Sequence, residues 1–156
     1  EGMGILLFGD VGTGKTYYAS CIANALCEQY VRVCVTNFPE IIARMQDLGN
    51  AAGYLDELRD YRLLCIDDLG VERDTSYAME QVYKVIDARY LSGRPTIITT
   101  NLSIQQMQEA PIDRRRIYDR IFEMCPIQLK MSGGSLRLEA RKTRRAMAQK
   151  LMREAQ

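Results

Sequence analysis

The sequence predicts an α/β fold built on a parallel sheet, with helices on both faces. Residues 9–16, Gly-Asp-Val-Gly-Thr-Gly-Lys-Thr, stand between an apolar run and a helical segment. They fit G-x-x-x-x-G-K-[ST], the phosphate-binding P-loop. The strand segments are continuous apolar runs, as strands covered on both sides must be. Those runs alternate with segments of helical period, the pattern of successive β-α-β units.

The elements follow in order. Gly4-Ile5-Leu6-Leu7-Phe8 is a short buried strand, and Tyr17 to Gln29 is a helix whose positive end faces the loop. Val31 to Thr36 is the second strand. Pro39 to Leu48 is a helix opened by proline, 49–53 a loop, and Tyr54 to Tyr61 a short helix. Leu63-Leu64-Cys65-Ile66-Asp67 is the third strand. Thr75 to Leu91 sets Met79, Val82, Val85, Ile86 and Tyr90 on one side of a helix. Asp74 or Thr75 caps its start, and Gly93 and Pro95 end it. Thr96 to Thr100 is the fourth strand, and Ser103 to Gln106 has capping-box spacing. Asp113 to Met124 is helical, Ile127 to Met131 is the fifth strand, and Ser132-Gly133-Gly134 is a turn. A basic helix runs from about residue 139. In such sheets ligands bind beyond the carboxyl ends of the strands, where the P-loop lies.

Composition narrows the chemistry. The chain has no histidine, which removes imidazole acid–base catalysis and argues against zinc. Its five cysteines form no C-x-x-C pair, and most sit in apolar patterns. They read as buried reduced thiols of a cytoplasmic protein. No apolar run approaches the roughly 18 residues of a membrane span. The first strand starts within a few residues of Glu1, so the chain reads as a fragment lacking an N-terminal part. Residues 1–110 carry 9 basic and 15 acidic groups, net −6, and residues 111–156 carry 12 basic and 5 acidic, net +7. This split suits head-to-tail self-association, a polyanionic partner, or a solvated basic helix at the end of the chain.

The P-loop predicts a nucleoside triphosphate. Gly9, Asp10, Val11, Gly12, Thr13 and Gly14 supply a flexible backbone whose N–H groups curl around phosphates, and Tyr17 opens the helix behind them. Lys15 reaches the β- and γ-phosphates, and the Thr16 hydroxyl ligates Mg²⁺. The third strand ends in Asp67-Asp68, the pattern in which a carboxylate holds that metal. Asp67 is the metal-side group, and Asp68 is placed to orient or deprotonate a water. Asn101, ending the fourth strand, can bridge that water and the γ-phosphate. Arg114, Arg115, Arg116 and Arg120 share the penultimate helix, and Arg137 follows the Gly-Gly turn. An inserted arginine stabilises the charge that builds on γ-phosphate oxygens. Composition does not choose among the five, and an arginine cluster also serves as a solvated helix face.

The segments FGDVGTGKT, LLCIDDLG, TIITTN, RRIYDRIFEMC and SLR, in this order and spacing, resemble the AAA+ ATPase domain of bacterial and phage helicase loaders, the DnaC/DnaI type. IstB-type transposition helpers are close relatives. The resemblance covers about residues 4–140 and implies one domain over 1–156. It implies strand order 5-1-4-3-2, ATP or ADP with Mg²⁺, and a nucleotide at a subunit interface. Asn101 then matches sensor 1, and Arg120 the arginine finger given to a neighbour. Arg137 matches sensor 2 acting in cis, and Arg116 looks like a helper. The implied partners are a replicative ring helicase, single-stranded DNA and a second copy of the chain. The segment 38–60 lies where relatives touch DNA, with Arg44 and Arg59 as its basic residues.

Two departures matter. Many AAA+ enzymes have Asp-Glu where this chain has Asp67-Asp68, although helicase loaders often show this pair. That implies slow hydrolysis, stimulated by self-assembly or DNA. Little sequence follows the fifth strand, so the usual helical lid is expected to be nearly absent; the family's N-terminal helicase-binding segment is expected to be missing too. Other readings are a transposition helper, a P-loop kinase and a scaffold that binds ATP without turnover. The kinase reading is opposed by the asparagine after the fourth strand.

Overall fold

The structure, a computed structural model, describes residues 2–46, 51–70, 75–134, 141–145 and 147–148. Five strands form one parallel sheet: β1 (Ile5–Phe8), β2 (Val33–Asn37), β3 (Leu63–Leu69), β4 (Thr96–Thr100) and β5 (Ile127–Lys130). Their order is β2-β3-β4-β1-β5, the one the resemblance implied. Side chains alternate across the sheet, and the inner strands β1, β3 and β4 therefore serve two cores, while β5 at the edge is exposed throughout. On one face Leu7, Leu63, Cys65 and Ile97 pack beneath α1 (Lys15–Cys27). On the other, Leu6, Leu64, Ile66 and Ile98 pack beneath α2 (Phe38–Met45), α3 (Ala51–Asp60), α4 (Ser76–Ser92), α5 (Ile104–Gln108) and α6 (Ile112–Met124).

The local signals act as their chemistry requires. Asn37 caps α2 through the Glu40 N–H, with Pro39 in the first turn. Thr75 caps α4 through the Ala78 N–H, and Gly93 ends it at a left-handed φ of 61°. Ser103 and Gln106 make both bonds of the capping box. The residues beyond 139 that the structure describes, 141–145 and 147–148, are helical and exposed.

Four expectations are corrected. The first helix starts two residues earlier, at Lys15, because Gly14 at φ 92° lets the chain turn directly into it. Residues 51–53 belong to α3, where Ala51 and Ala52 favour helix and Gly53 is tolerated. Cys65 and Cys125 are buried, but Cys21 and Cys27 are exposed on α1 and Cys34 is partly covered. Burial pushes the thiols of Cys65 and Cys125 up to about 12.

The fourth correction concerns the inward face of α4. Tyr90 is 39% exposed, and Arg89 is buried in its place. Arg89 Nε donates to Thr96 Oγ1 at 3.0 Å and Nη2 to the Pro95 carbonyl at 2.6 Å. Nη1 donates to the carbonyls of Leu58, Arg59 and Tyr61 at 3.2, 3.0 and 2.9 Å. One guanidinium thus serves the end of α3 and the start of β4, where the Arg59 carbonyl also accepts from Arg94 and the Pro95 carbonyl from the Leu64 N–H, each at 3.4 Å. Burial, and then neighbouring Arg94, pull its pKa down to about 10, still charged at neutral pH. Arg89→Met keeps the apolar stem and removes all five of these hydrogen bonds, which leaves the Leu58 and Tyr61 carbonyls without this donor. It is expected to destabilise the domain by about 3 kcal/mol in urea unfolding. Arg89→Lys, with three donors and no fork, should recover only part of that.

Candidate nucleotide site

The site forms where β1, β4 and β3, neighbours in the sheet, end together at their carboxyl ends. From β1 the chain enters the loop 9–14 and then α1. Gly9, Gly12 and Gly14 have φ of 134°, 86° and 92°, a region that side chains disfavour. Gly9 is also required by contact, since a Cβ there would sit 2.3 Å from the Met131 carbonyl oxygen. The first-turn N–H groups of α1 have no partner within the helix and face the loop.

Lys15 is the first residue of α1 and only 5% exposed. Its Nζ donates to the carbonyls of Gly9 and Asp10 at 2.8 and 2.7 Å. The ammonium therefore stands within its own loop. Thr13 Oγ1 donates to the Asp10 carbonyl at 2.8 Å, bracing the same turn. Val11 and Tyr17 are exposed at its rim.

Thr16 Oγ1 donates to Asp67 Oδ2 at 3.0 Å and so ties α1 to the end of β3. These are hard oxygen donors, a hydroxyl and a carboxylate, side by side. They suit Mg²⁺, which takes few protein ligands and completes its shell with phosphate and water. Asp67 Oδ1 accepts from Thr99 Oγ1 at 2.6 Å. Asp68 follows with φ 53°, a left-handed conformation in a non-glycine residue. Asn101 is exposed just past β4, with no side-chain hydrogen bond among the described residues.

The arginines are placed differently. Arg120 lies against α4 of its own chain. Its Nη1 is 2.9 Å from Asp87 Oδ1, and its guanidinium stacks over Tyr83 at 4.6 Å and Tyr90 at 5.8 Å. The hydrogen bond to Tyr83 holds its pKa above the usual arginine range. Arg115 donates to the Ala110 carbonyl, and Arg116 is exposed. Arg137 lies outside the described residues. Arg44 pairs with Glu40 at 2.8 Å, and Arg59 with Asp56 at 3.5 Å, both on exposed faces.

Thr99 is the site residue that sequence reasoning missed. Its strand read as a plain apolar run closed by threonines. The burial of Thr96, Thr99 and Thr100, and the pairing of their strand with the one ending Asp-Asp, appear only in the fold.

Comparison with known proteins agrees with this geometry. The family model for IstB-like ATP binding protein matches residues 2–144. The chain belongs to this family. The IstB-like domain is 30% identical over 118 residues to the replicative helicase loader DnaC of Escherichia coli (strain K12), covering 70% of this chain and 48% of that one. It is 27% identical over 144 residues to the replicative helicase loader DnaI of Bacillus subtilis (strain 168), covering 83% and 46%. A crystal structure of the DnaC helicase loader superposes with a TM-score of 0.72 at 28% identity, over 85% of this chain and 80% of that one. The domain is thus homologous to the DnaC/DnaI loaders, and its fold is that of AAA+ P-loop ATPases. It spans about half the length of the curated relatives it matches.

Proposed function

We propose that this domain binds and hydrolyses ATP as the switch of a helicase loader that assembles on single-stranded DNA. One observation carries the reading: the Thr16–Asp67 bond at 3.0 Å joins the phosphate loop to the carboxylates of β3. A triphosphate in the loop 9–14 would displace the Lys15 ammonium from the Gly9 and Asp10 carbonyls onto its β- and γ-oxygens. Thr16 and Asp67 would hold Mg²⁺, which when bound neutralises phosphate charge. Asp68 would accept a proton from the water attacking the γ-phosphorus, and Asn101 would orient that water. The γ-phosphate would leave as inorganic phosphate, with ADP as the other product.

Arg120 fits a finger for a neighbouring copy, with Arg116 beside it. Its present partners, Asp87 and two tyrosine rings, leave it 29% exposed. The ion pair and the two ring contacts together contribute on the order of 1–3 kcal/mol, which the charge of a neighbour's triphosphate can outweigh. Arg137 would act in cis. The ion pairs of Arg44 and Arg59 are exposed, and a DNA phosphate can replace them at little cost, although Arg44 also stands over the Tyr54 ring at 5.4 Å.

Asp68→Asn tests the turnover step. Asparagine tolerates the left-handed backbone, so the fold should be kept. Its amide cannot take the water's proton. Mg·ATP affinity should stay within about threefold, while hydrolysis falls by roughly 10²–10⁴. Hydrolysis at the wild-type rate would assign the base to another group, such as Glu72.

The family description also favours a second reading, a DNA-transposition helper of the IstB type. A pull-down with the complete parent protein separates the two. A ring helicase in the bound fraction supports the loader, and a transposase supports the helper.

A further inference from the structure

The register between β3 and β4 slips at the site. Ile66 pairs with Ile98, but the next pair is Leu69 with Thr100. Two residues of β3, Asp67 and Asp68, therefore face the single residue Thr99. That is a β-bulge, which leaves one ladder hydrogen bond unmade and re-aims the side chains at it.

The Thr99 hydroxyl occupies the gap. The residue is 1% exposed. Its Oγ1 donates to Asp67 Oδ1 at 2.6 Å and accepts from the Asp68 N–H at 2.9 Å. A hydroxyl has one proton to give, and it gives it to Asp67. The other carboxylate oxygen of Asp67, Oδ2, is left to Thr16. The N–H that the bulge removed from the ladder is satisfied by the same atom. One buried side chain thereby fixes the orientation of the first carboxylate and the backbone of the second.

That backbone is unusual. Asp68 has φ 53°, where asparagine and aspartate are several-fold enriched over longer side chains. A glutamate at 68 has no such short side chain to bond locally and is disfavoured there. The left-handed backbone at 68 thus suits the Asp-Asp pair of this chain.

We propose that Thr99 is a positioning residue for the nucleotide site, whose hydroxyl holds the β3 bulge and thereby aims Asp67 at the metal position and keeps Asp68 left-handed. The proposal rests on the ATPase reading above for its consequence and on the bulge alone for its structure.

The two parts are separable by experiment. Thr99→Val keeps shape and β-branching and removes the hydroxyl; Thr99→Ser keeps the hydroxyl. Amide hydrogen exchange, which needs no ATPase activity, is expected to accelerate at Asp68 by tenfold or more in Thr99→Val and to stay near wild type in Thr99→Ser. The Mg²⁺ concentration that half-saturates ATP binding should rise roughly 10–100-fold in Thr99→Val, as for other partners that orient a metal ligand, with metal-free ATP affinity unchanged. Thr99→Ser should restore both. Asp68→Glu should turn over more slowly than wild type, and it serves if Thr99→Val does not fold. Unchanged Asp68 exchange together with unchanged Mg²⁺ dependence in folded Thr99→Val would overturn the proposal. So would an Asp68→Glu variant that hydrolyses ATP at or above the wild-type rate. Loss of the ATPase reading alone would show differently: wild type would bind no ATP, while Asp68 exchange still responded to the hydroxyl.

Discussion

Arg120→Ala is expected to bind Mg·ATP as wild type does and to hydrolyse it at least about a thousandfold more slowly. The guanidinium lies on α4 against Asp87, Tyr83 and Tyr90, and contributes no bond to the P-loop of its own chain. Removing it should therefore leave the nucleotide pocket intact. What it removes is the cation that would meet γ-phosphate charge on a neighbouring copy. Such a residue acts only in an assembly, so wild-type turnover should rise faster than linearly with protein concentration. Mixing Arg120→Ala with Lys15→Ala should restore activity that neither has alone, because one keeps a pocket and the other a finger. High salt should weaken the effect, since the net +7 of residues 111–156 would face the net −6 of 1–110. A mixture as inactive as its components, where wild type turns over, would move the finger to Arg116 or Arg115.

The inner strands β1, β3 and β4 were legible because they are parallel and covered on both faces. Their apolar runs had no competing period, and β4 matched to the residue. The loop was legible because its glycines sit where positive φ is needed. The helix borders were less so. Tyr90 fitted the apolar stripe of α4, yet Arg89 took the inward place, because five hydrogen bonds from one guanidinium offset its burial. That arrangement depends on three carbonyls near the end of α3, some 30 residues away, and no local pattern shows it. The role of Thr99 was hidden for the same reason. A threonine in a strand is ordinary β-propensity, and only the slipped register of β3 against β4 turns its hydroxyl toward two aspartates. The left-handed Asp68 was likewise invisible, although the Asp-Asp pair itself was plain in the sequence.

Lys15 carries the central claim. The sequence placed it on a loop; the structure makes it the buried first residue of α1, with its ammonium on the Gly9 and Asp10 carbonyls. Lys15→Ala thus removes two things, the cation for the triphosphate and a brace of the loop. The two cores of the sheet do not include it, so the domain should still fold cooperatively. Isothermal titration of Mg·ATP into wild type and Lys15→Ala is the direct measurement. Saturable binding by wild type, weakened at least about a hundredfold in a folded Lys15→Ala (on the order of 3 kcal/mol for a lost phosphate cation), is the result expected. Equal affinity in the two proteins would contradict the account.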